Sequence, residues 1–162
     1  MSNKNLRIGT GFDVHRLVPN RQLCLGGIVI PFELGLAGHS DGDVLVHAVI
    51  DALLGAASLG DIGIFFPPGE PETKDMMSGD MLTYVVNLLE KKNYVVINID
   101  TVVICERPRL SNYYASIKKN FANLLNIDVG RVNVKAKTAE QLGEIGAGQA
   151  IAAQAVALLE LP

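Results

Sequence analysis

Apolar and polar positions change period several times along the chain, and these changes divide it into elements. Leu6–Val14 reads as a strand that leads into Asp13-Val14-His15. Gln22–Ile30 places two apolar arms about Gly26-Gly27, which predicts a hairpin. From Asp43 to Leu59 the period becomes helical: Val44, Ala48 and Ala52 recur every fourth residue, as do Leu45, Val49 and Leu53, with Ser40 and Asp41 upstream as caps. Gly60–Ser78 follows as a long loop crowded with Pro67, Pro68, Gly69 and Pro71, and long loops in compact domains are often functional. Ser78 then caps a helix running to about Lys92, with Leu82, Val85, Val86 and Leu89 on its inner face. Tyr94–Cys105 is β-rich and stops before Pro108; Ser111 caps a further helix striped by Ile117, Phe121, Leu124 and Leu125. Val132–Thr138 is a strand, and Ile151–Leu161, rich in Ala and Leu, is expected to be a closing helix.

These elements predict an α+β domain spanning residues 1–162, a mixed β-sheet with helices packed on one face. Asn98, Asp100, Asn133 and Lys135 make the other face only half polar. Such a face suits a partner subunit better than open solvent.

Composition adds a few exclusions. With 49% apolar and 19% charged residues over 162 positions the chain is globular, not disordered, and long enough for its own core. A net charge of −3 and the lack of tryptophan argue against nucleic acid as a partner. No apolar run reaches the ~20 residues that a membrane span needs. Cys24 and Cys105 lie in separate apolar runs and form no CxxC pair, so buried thiols in a reducing compartment are expected. Met1–Asn5 carries no apolar targeting segment. A cytoplasmic bacterial protein is the expectation, or a plastid stromal one from which a leader has been removed.

The chemistry concentrates at two places. His15, His39 and His47 all fall in the first third of the chain. Asp13 and His15, two apart on a strand, point to one side, and His47 sits one turn into the following helix, able to lean back over the strand end. Two imidazoles and a carboxylate suit Zn²⁺, and three protein ligands leave a fourth position open for chemistry. Asp43, His47 and Asp51 are spaced by four and would share a helical face. Near the C-terminus, Lys135-Ala-Lys137-Thr138-Ala-Glu140 ends a strand with two cations, a hydroxyl and a carboxylate, groups that hold phosphate oxygens or Mg²⁺. Gly143–Gly148 lacks the order and the βαβ setting of a phosphate-cradling glycine loop.

Taken in order, Gly11-Phe-Asp13-Val-His15-Arg16, His39-Ser-Asp-Gly-Asp43 with His47, Gly60-Asp61-Ile-Gly63 with Phe66-Pro67, Glu106-Arg-Pro108 and Val132-Asn-Val-Lys135-Ala-Lys-Thr138-Ala-Glu140 resemble the 2-C-methyl-D-erythritol 2,4-cyclodiphosphate synthase family from about Arg7 to Leu159. The resemblance implies a homotrimer with active sites between subunits, the open sheet face turned to its centre. It implies a cyclising, CMP-releasing phosphorus–oxygen lyase of non-mevalonate isoprenoid biosynthesis, acting on 4-diphosphocytidyl-2-C-methyl-D-erythritol 2-phosphate. Asp13, His15 and His47 would hold Zn²⁺ or another divalent transition metal, and Glu140 a Mg²⁺ or Mn²⁺ against the diphosphate. His39 and Thr138 match transition-state contacts. Ser40, Asp61, Ile62, Gly63 and the loop from Phe66 to Glu70 match the methylerythritol phosphate pocket, and Asp13, Val14, His15, His39 and Asp51 are further positions expected to contact substrate. Cys105, Pro108, Arg109, Leu110 and Ser111, with Lys137 and Thr138, match the side that takes the cytidine and its phosphates, and Ala139 and Glu140 are likewise expected to contact substrate.

Three positions depart from the family pattern: Pro68 stands where many members have Asp, Glu144 where an aromatic is common, and Ala147 where many have an Arg facing the trimer channel. None touches the metal ligands. A metallophosphoesterase also uses Asp-x-His and Gly-Asp pairs, but it needs His ligands downstream, and no histidine follows His47. A non-catalytic nucleotide-binding trimer would be expected to lack the ligands that this chain keeps.

Overall fold

The computed structural model describes residues 5–67, 69 and 76–161. Strand β1 runs over Asn5–Val18 and carries both Asp13 and His15 within it, four residues longer at its C-terminal end than the sequence pattern suggests. Its odd-numbered positions turn toward the helical layer and its even-numbered ones turn away. Gly9 and Gly11 lie on the inner side, where helix α1 (Val44–Ala56) crosses β1 so closely that a Cβ would come within 2.1 Å of the Ala52 carbonyl oxygen and 2.0 Å of that of Ala48. On the outer side Leu6, Ile8, Phe12 and Val14 are half or more exposed.

The closing segment is the clearest correction. Ile151–Leu161 is not a helix but most of strand β7 (Ala150–Leu161), which lies between β1 and β5 (Val95–Ile104), antiparallel to both. Alanine and leucine favour a helix when judged locally, but here each of two neighbouring strands pairs alternate backbone groups of β7, so that both of its edges are bonded. Ala153, Ala155, Ala157 and Leu159 are buried, while Gln154, Val156, Leu158 and Glu160 between them are exposed to varying degrees. The small inward side chains leave room for α1, which packs across β1 and β7. With β4 (Gly35–Leu36) on one edge and β6 (Val132–Lys137), parallel to β5, on the other, the sheet order is β4-β1-β7-β5-β6. The expected mixed sheet with helices on one face is present.

Helices α3 (Ser78–Lys91) and α4 (Tyr114–Leu125) complete the helical layer, and Leu82, Val85, Leu89, Ile117, Phe121 and Leu125 close the core as the apolar stripes predict. No helix among the described residues is long and apolar enough to cross a membrane. The long loop holds a short helix, α2 (Ile62–Phe65), capped by the Asp61 side chain. Gly143–Gly146 forms another, α5, with Ala147 as its C-cap and Glu144 exposed. Three caps differ from expectation. Ser78 and Ser111 make no cap bond: Met77 is the N-cap of α3, and Ser111 opens a 3₁₀ turn before α4. The cap of α1 is Asp43, not Ser40 or Asp41.

Asp43 is fully buried, and its carboxylate accepts N–H bonds from Leu45, Val46, Gly26 and Gly27. It thus ties the turn of the hairpin β2 (Leu23–Leu25) and β3 (Ile28–Ile30) to the start of α1. Burial pushes its carboxyl above the usual range despite those bonds. The expected face of Asp43, His47 and Asp51 therefore reduces to His47 and Asp51, because Asp43 is spent on backbone donors.

Candidate metal centre and clefts

Alternation along β1 brings Asp13 and His15 to the inner side, and α1 delivers His47 above them. The three offer atoms that face one another: His15 Nε2 lies 2.9 Å and His47 Nδ1 3.0 Å from Asp13 Oδ2, and the two ring nitrogens are 3.3 Å apart. Among the described residues no other group of three or more His, Cys, Asp or Glu side chains converges in this way.

The outer atoms of each ligand are already committed. His15 Nδ1 bonds the Ala37 carbonyl, which leaves Nε2 for the centre. Asp13 Oδ1 accepts the Val14 N–H at 2.8 Å, leaving Oδ2. His47 Nε2 faces the hydroxyls of Ser78 at 2.9 Å and Ser40 at 3.3 Å, leaving Nδ1. Bonds of ~2.0–2.1 Å to a tetrahedral ion put neighbouring ligand atoms about 3.3 Å apart. The triangle is close to that size, so the donor set fits a divalent transition metal with one open corner.

Electrostatics agree. Burial works against ionised Asp13, but the hydrogen bonds and charge of His15 and His47 outweigh it and hold the carboxyl well below its usual range. Burial likewise disfavours a charged His15, yet the Asp13 carboxylate and the Ala37 carbonyl raise its pKa. A place that draws protons onto imidazole is one that attracts a cation.

The triad lines a cleft of about 320 Å³ with Gly38, His39, Ser40, Asp51, Ile62, Gly63, Phe66 and Met81. His39 is exposed there, whereas Ser40 is buried with its hydroxyl behind His47 and bonded by the Gly42 N–H. Asp51 accepts the Ile62 N–H at 2.8 Å; burial raises its pKa against that bond, with Asp61 and Asp13 adding to the rise. Val14 points to the outer face of the sheet and is 50% exposed, so only its backbone adjoins the triad. Glu70 and Pro68, with most of the Pro-rich stretch 67–71, lie outside the described residues.

A second cleft of about 420 Å³ gathers Cys105, Pro108, Arg109, Leu110, Ser111, Lys137 and Thr138. Burial pushes the Cys105 thiol up to about 11, with Glu106 contributing, so it serves as packing rather than as a nucleophile. Beside the cleft, Thr138 Oγ1 donates to Glu140 Oε1 at 2.8 Å and accepts the Glu140 N–H, while the Ala139 N–H reaches Glu106. Glu140 and Gln141 both hold left-handed backbone, at φ 52° and 62°, a strain that side-chain-bearing residues adopt mostly where position matters.

The two clefts do not meet within one chain. Register places Asp13 opposite Ala153, Ala153 opposite Val103, and Val103 opposite Ala136. Three strand spacings, about 14 Å, separate Asp13 from the strand that leads to Thr138 and Glu140. Gly38, Met81, Tyr114 and Ala136 also line the clefts, and no local sequence signal marks them as site residues. The local sequence marks Ser78 only as a helix cap, and nothing in it signals a role behind His47.

Residues 6–160 match the model of the YgbB family. The 2-C-methyl-D-erythritol 2,4-cyclodiphosphate synthase of Dehalococcoides mccartyi (strain CBDB1) is 51% identical over 155 residues, which cover 96% of this chain and 99% of that protein. The Plasmodium falciparum IspF structure in complex with CDP superposes with a TM-score of 0.85 at 39% identity, covering 99% of both chains. The bifunctional IspDF of Campylobacter jejuni gives a TM-score of 0.95 at 38% identity over 99% of this chain and 43% of that longer one. Matched from end to end in sequence and in fold, the chain belongs to the YgbB family, together with the 2-C-methyl-D-erythritol 2,4-cyclodiphosphate synthases.

Proposed function

We propose that this chain converts 4-diphosphocytidyl-2-C-methyl-D-erythritol 2-phosphate to 2-C-methyl-D-erythritol 2,4-cyclodiphosphate and CMP, as a phosphorus–oxygen lyase of non-mevalonate isoprenoid precursor biosynthesis. The observation that carries the reading is the three-sided Asp13, His15 and His47 centre, open toward a cleft, in a chain of this family. An oxygen of the 2-phosphate attacks the β-phosphorus in line; the new P–O bond closes the ring, and the bond to the CMP oxygen breaks. The reaction is intramolecular, so the protein acts mainly by positioning and by neutralising charge.

Zn²⁺ or a similar ion on Asp13, His15 and His47, when bound, supplies Lewis-acid polarisation at the β-phosphate. Glu140, exposed and held by Thr138, is suited to share a Mg²⁺ or Mn²⁺ with the diphosphate, because such ions combine carboxylate with substrate phosphate oxygens. Asp51, Asp61, Ile62, Gly63 and Phe66 hold the methylerythritol phosphate, with Ser40 at the floor of the cleft and Glu70 from the loop. Cys105 to Ser111, with Lys137 and Ala139, receive the cytidine and its phosphates. His39 and Thr138 place donors on the phosphoryl group as its charge shifts. Phe66, packed edge-on against Tyr84 with centroids 5.6 Å apart, lines the first cleft and helps to keep water from the diphosphate.

Thr138 and Glu140 cannot reach a phosphate placed at the Asp13, His15 and His47 centre from three strands away, so each active site joins the first cleft of one subunit to the second cleft of another. A homotrimer about the outer sheet face meets that need. Leu6, Ile8, Phe12 and Val14 form the uncovered apolar patch that its centre would bury. Ala147, exposed where an arginine is common, removes one cationic contact from the channel of such a trimer. The bacterial relatives and the two free, buried cysteines accord with a cytoplasmic setting.

The deciding experiment is incubation with the diphosphocytidyl substrate, with and without a chelator, following CMP and the cyclic diphosphate by mass. Chelator-sensitive formation of both is expected. Hydrolysis products without any cyclic species would favour a phosphoesterase instead.

A further inference from the structure

Ser78 opens α3 but does nothing for the helix: no side-chain cap bond is made there, and the N-cap position belongs to Met77. Its side chain is nevertheless 0% exposed, and a serine hydroxyl is buried at a cost unless it is bonded. Its partners explain it. The hydroxyl donates to Asp41 Oδ1, and the Ser78 N–H donates to Asp41 Oδ2 at 3.0 Å, so one carboxylate reads both donors of one residue. Asp41 is itself anchored by the Asp43 N–H, at 3.2 Å to Oδ1, beside the cap of α1.

Proton counting then fixes His47. A serine hydroxyl has one proton, and an ionised carboxylate can only accept. With that proton given to Asp41, Ser78 Oγ is left as the acceptor for His47 Nε2, 2.9 Å away. The imidazole must therefore carry its hydrogen on Nε2 and present the Nδ1 lone pair, which is the atom facing Asp13 Oδ2 and His15 Nε2. Ser40 Oγ, at 3.3 Å, is a more distant second partner that accepts the Gly42 N–H and keeps its own proton, so the shorter Ser78 contact sets the tautomer. His47 is 8% exposed, so water offers little substitute for this arrangement.

We propose that Asp41 and Ser78 are a positioning pair which sets the tautomer and orientation of His47 and thereby a large part of the site's affinity for a divalent transition metal. The inference rests on the metal reading given above and extends it to a helix, α3, that carries none of the ligands. Partners behind a metal-bound histidine commonly account for about 10–100-fold in affinity.

The test uses the full chain, stripped by chelator and titrated with zinc against a chromophoric competitor. Thermal melting of each metal-free variant serves as the control for folding. Ser78→Ala should bind zinc about 10–100-fold more weakly, and Asp41→Asn about 10-fold more weakly, out of proportion to any change in the metal-free melt. Cobalt substituted for zinc should give a weakened or shifted visible spectrum in both variants. A purely structural role would lower the melt and leave zinc affinity and the cobalt spectrum untouched. Affinity within about twofold of the parent in Ser78→Ala overturns the proposal; if that variant does not fold, Asp41→Asn decides on the same criterion. A parent protein that binds no zinc would overturn the metal reading and this inference together, whereas a parent that binds and variants that bind equally well sink only the inference.

Discussion

His47 Nδ1 lies 3.0 Å from Asp13 Oδ2, joining residues 34 apart in sequence and held on different elements. The strand and the helix are each stable for reasons unrelated to chemistry: β1 by its pairing with β7, α1 by its buried apolar faces and the Asp43 cap. Their close crossing at Gly9 and Gly11 is what brings the two side chains together.

Replacing His47 with Ala should remove the metal and nearly all turnover. Loss of Lewis-acid stabilisation worth several kcal/mol corresponds to a rate loss on the order of 10²–10³ or more. Metal content by atomic absorption and CMP release measure the two effects separately. Near-normal activity in metal-free buffer would remove the triad from the mechanism.

Thr138→Ala should raise the barrier by ~2–4 kcal/mol, about 30- to 1,000-fold in turnover. If the active site is shared between subunits, co-expressing Thr138→Ala with His47→Ala chains should regain activity that neither has alone. About a quarter of randomly mixed sites would then hold both intact groups. Mixed trimers no more active than the better single variant would place both groups in one chain.

Asp51 has a raised pKa because of burial and of Asp61 and Asp13 nearby. An acid with a raised folded-state pKa takes up protons on folding between its unfolded and folded values, so its ionisation lowers stability as pH rises through that window. Asp51→Asn keeps an acceptor for the Ile62 N–H and abolishes the charge. Its Tm at pH 7 should exceed the parent's by a few degrees, about 2–3 °C, and the gain should vanish as pH falls below the ordinary carboxylate range. Activity should fall at the same time, since the removed charge faces the cleft that holds the Asp13, His15 and His47 triad. A Tm difference that is the same at pH 7 and at pH 3.5 would show that charge is not the cause.

Gly11→Ala places a methyl 2.0 Å from the Ala48 carbonyl oxygen. Helix α1 would have to lift from the sheet, at a cost of about 3 kcal/mol or more, or a fall in Tm of roughly 6–12 °C. The same displacement would part His47 from Asp13, so zinc affinity should drop too. Denaturant unfolding with and without zinc checks both; an unperturbed midpoint would mean that the crossing is looser than the described geometry.

The sequence by itself determined the helices whose apolar residues recur every three to four positions, the hairpin about Gly26-Gly27, and the pairing of Asp13 with His15, because a two-residue step on a strand leaves no choice of side. The ordered motifs also carried the family. Tertiary structure decided what local pattern could not. Ile151–Leu161 has the composition of a helix and becomes the central strand, since only its neighbours β1 and β5 can pair its backbone and only small side chains leave room for α1. Asp43 shares a helical spacing with His47, yet it is drawn into capping by four backbone N–H groups that come together only after folding. Ser78 reads as a cap from its position and turns out to stand behind His47, 31 residues away. Hydrogen-bond partners far apart in sequence are set by packing, and packing is decided by the whole chain.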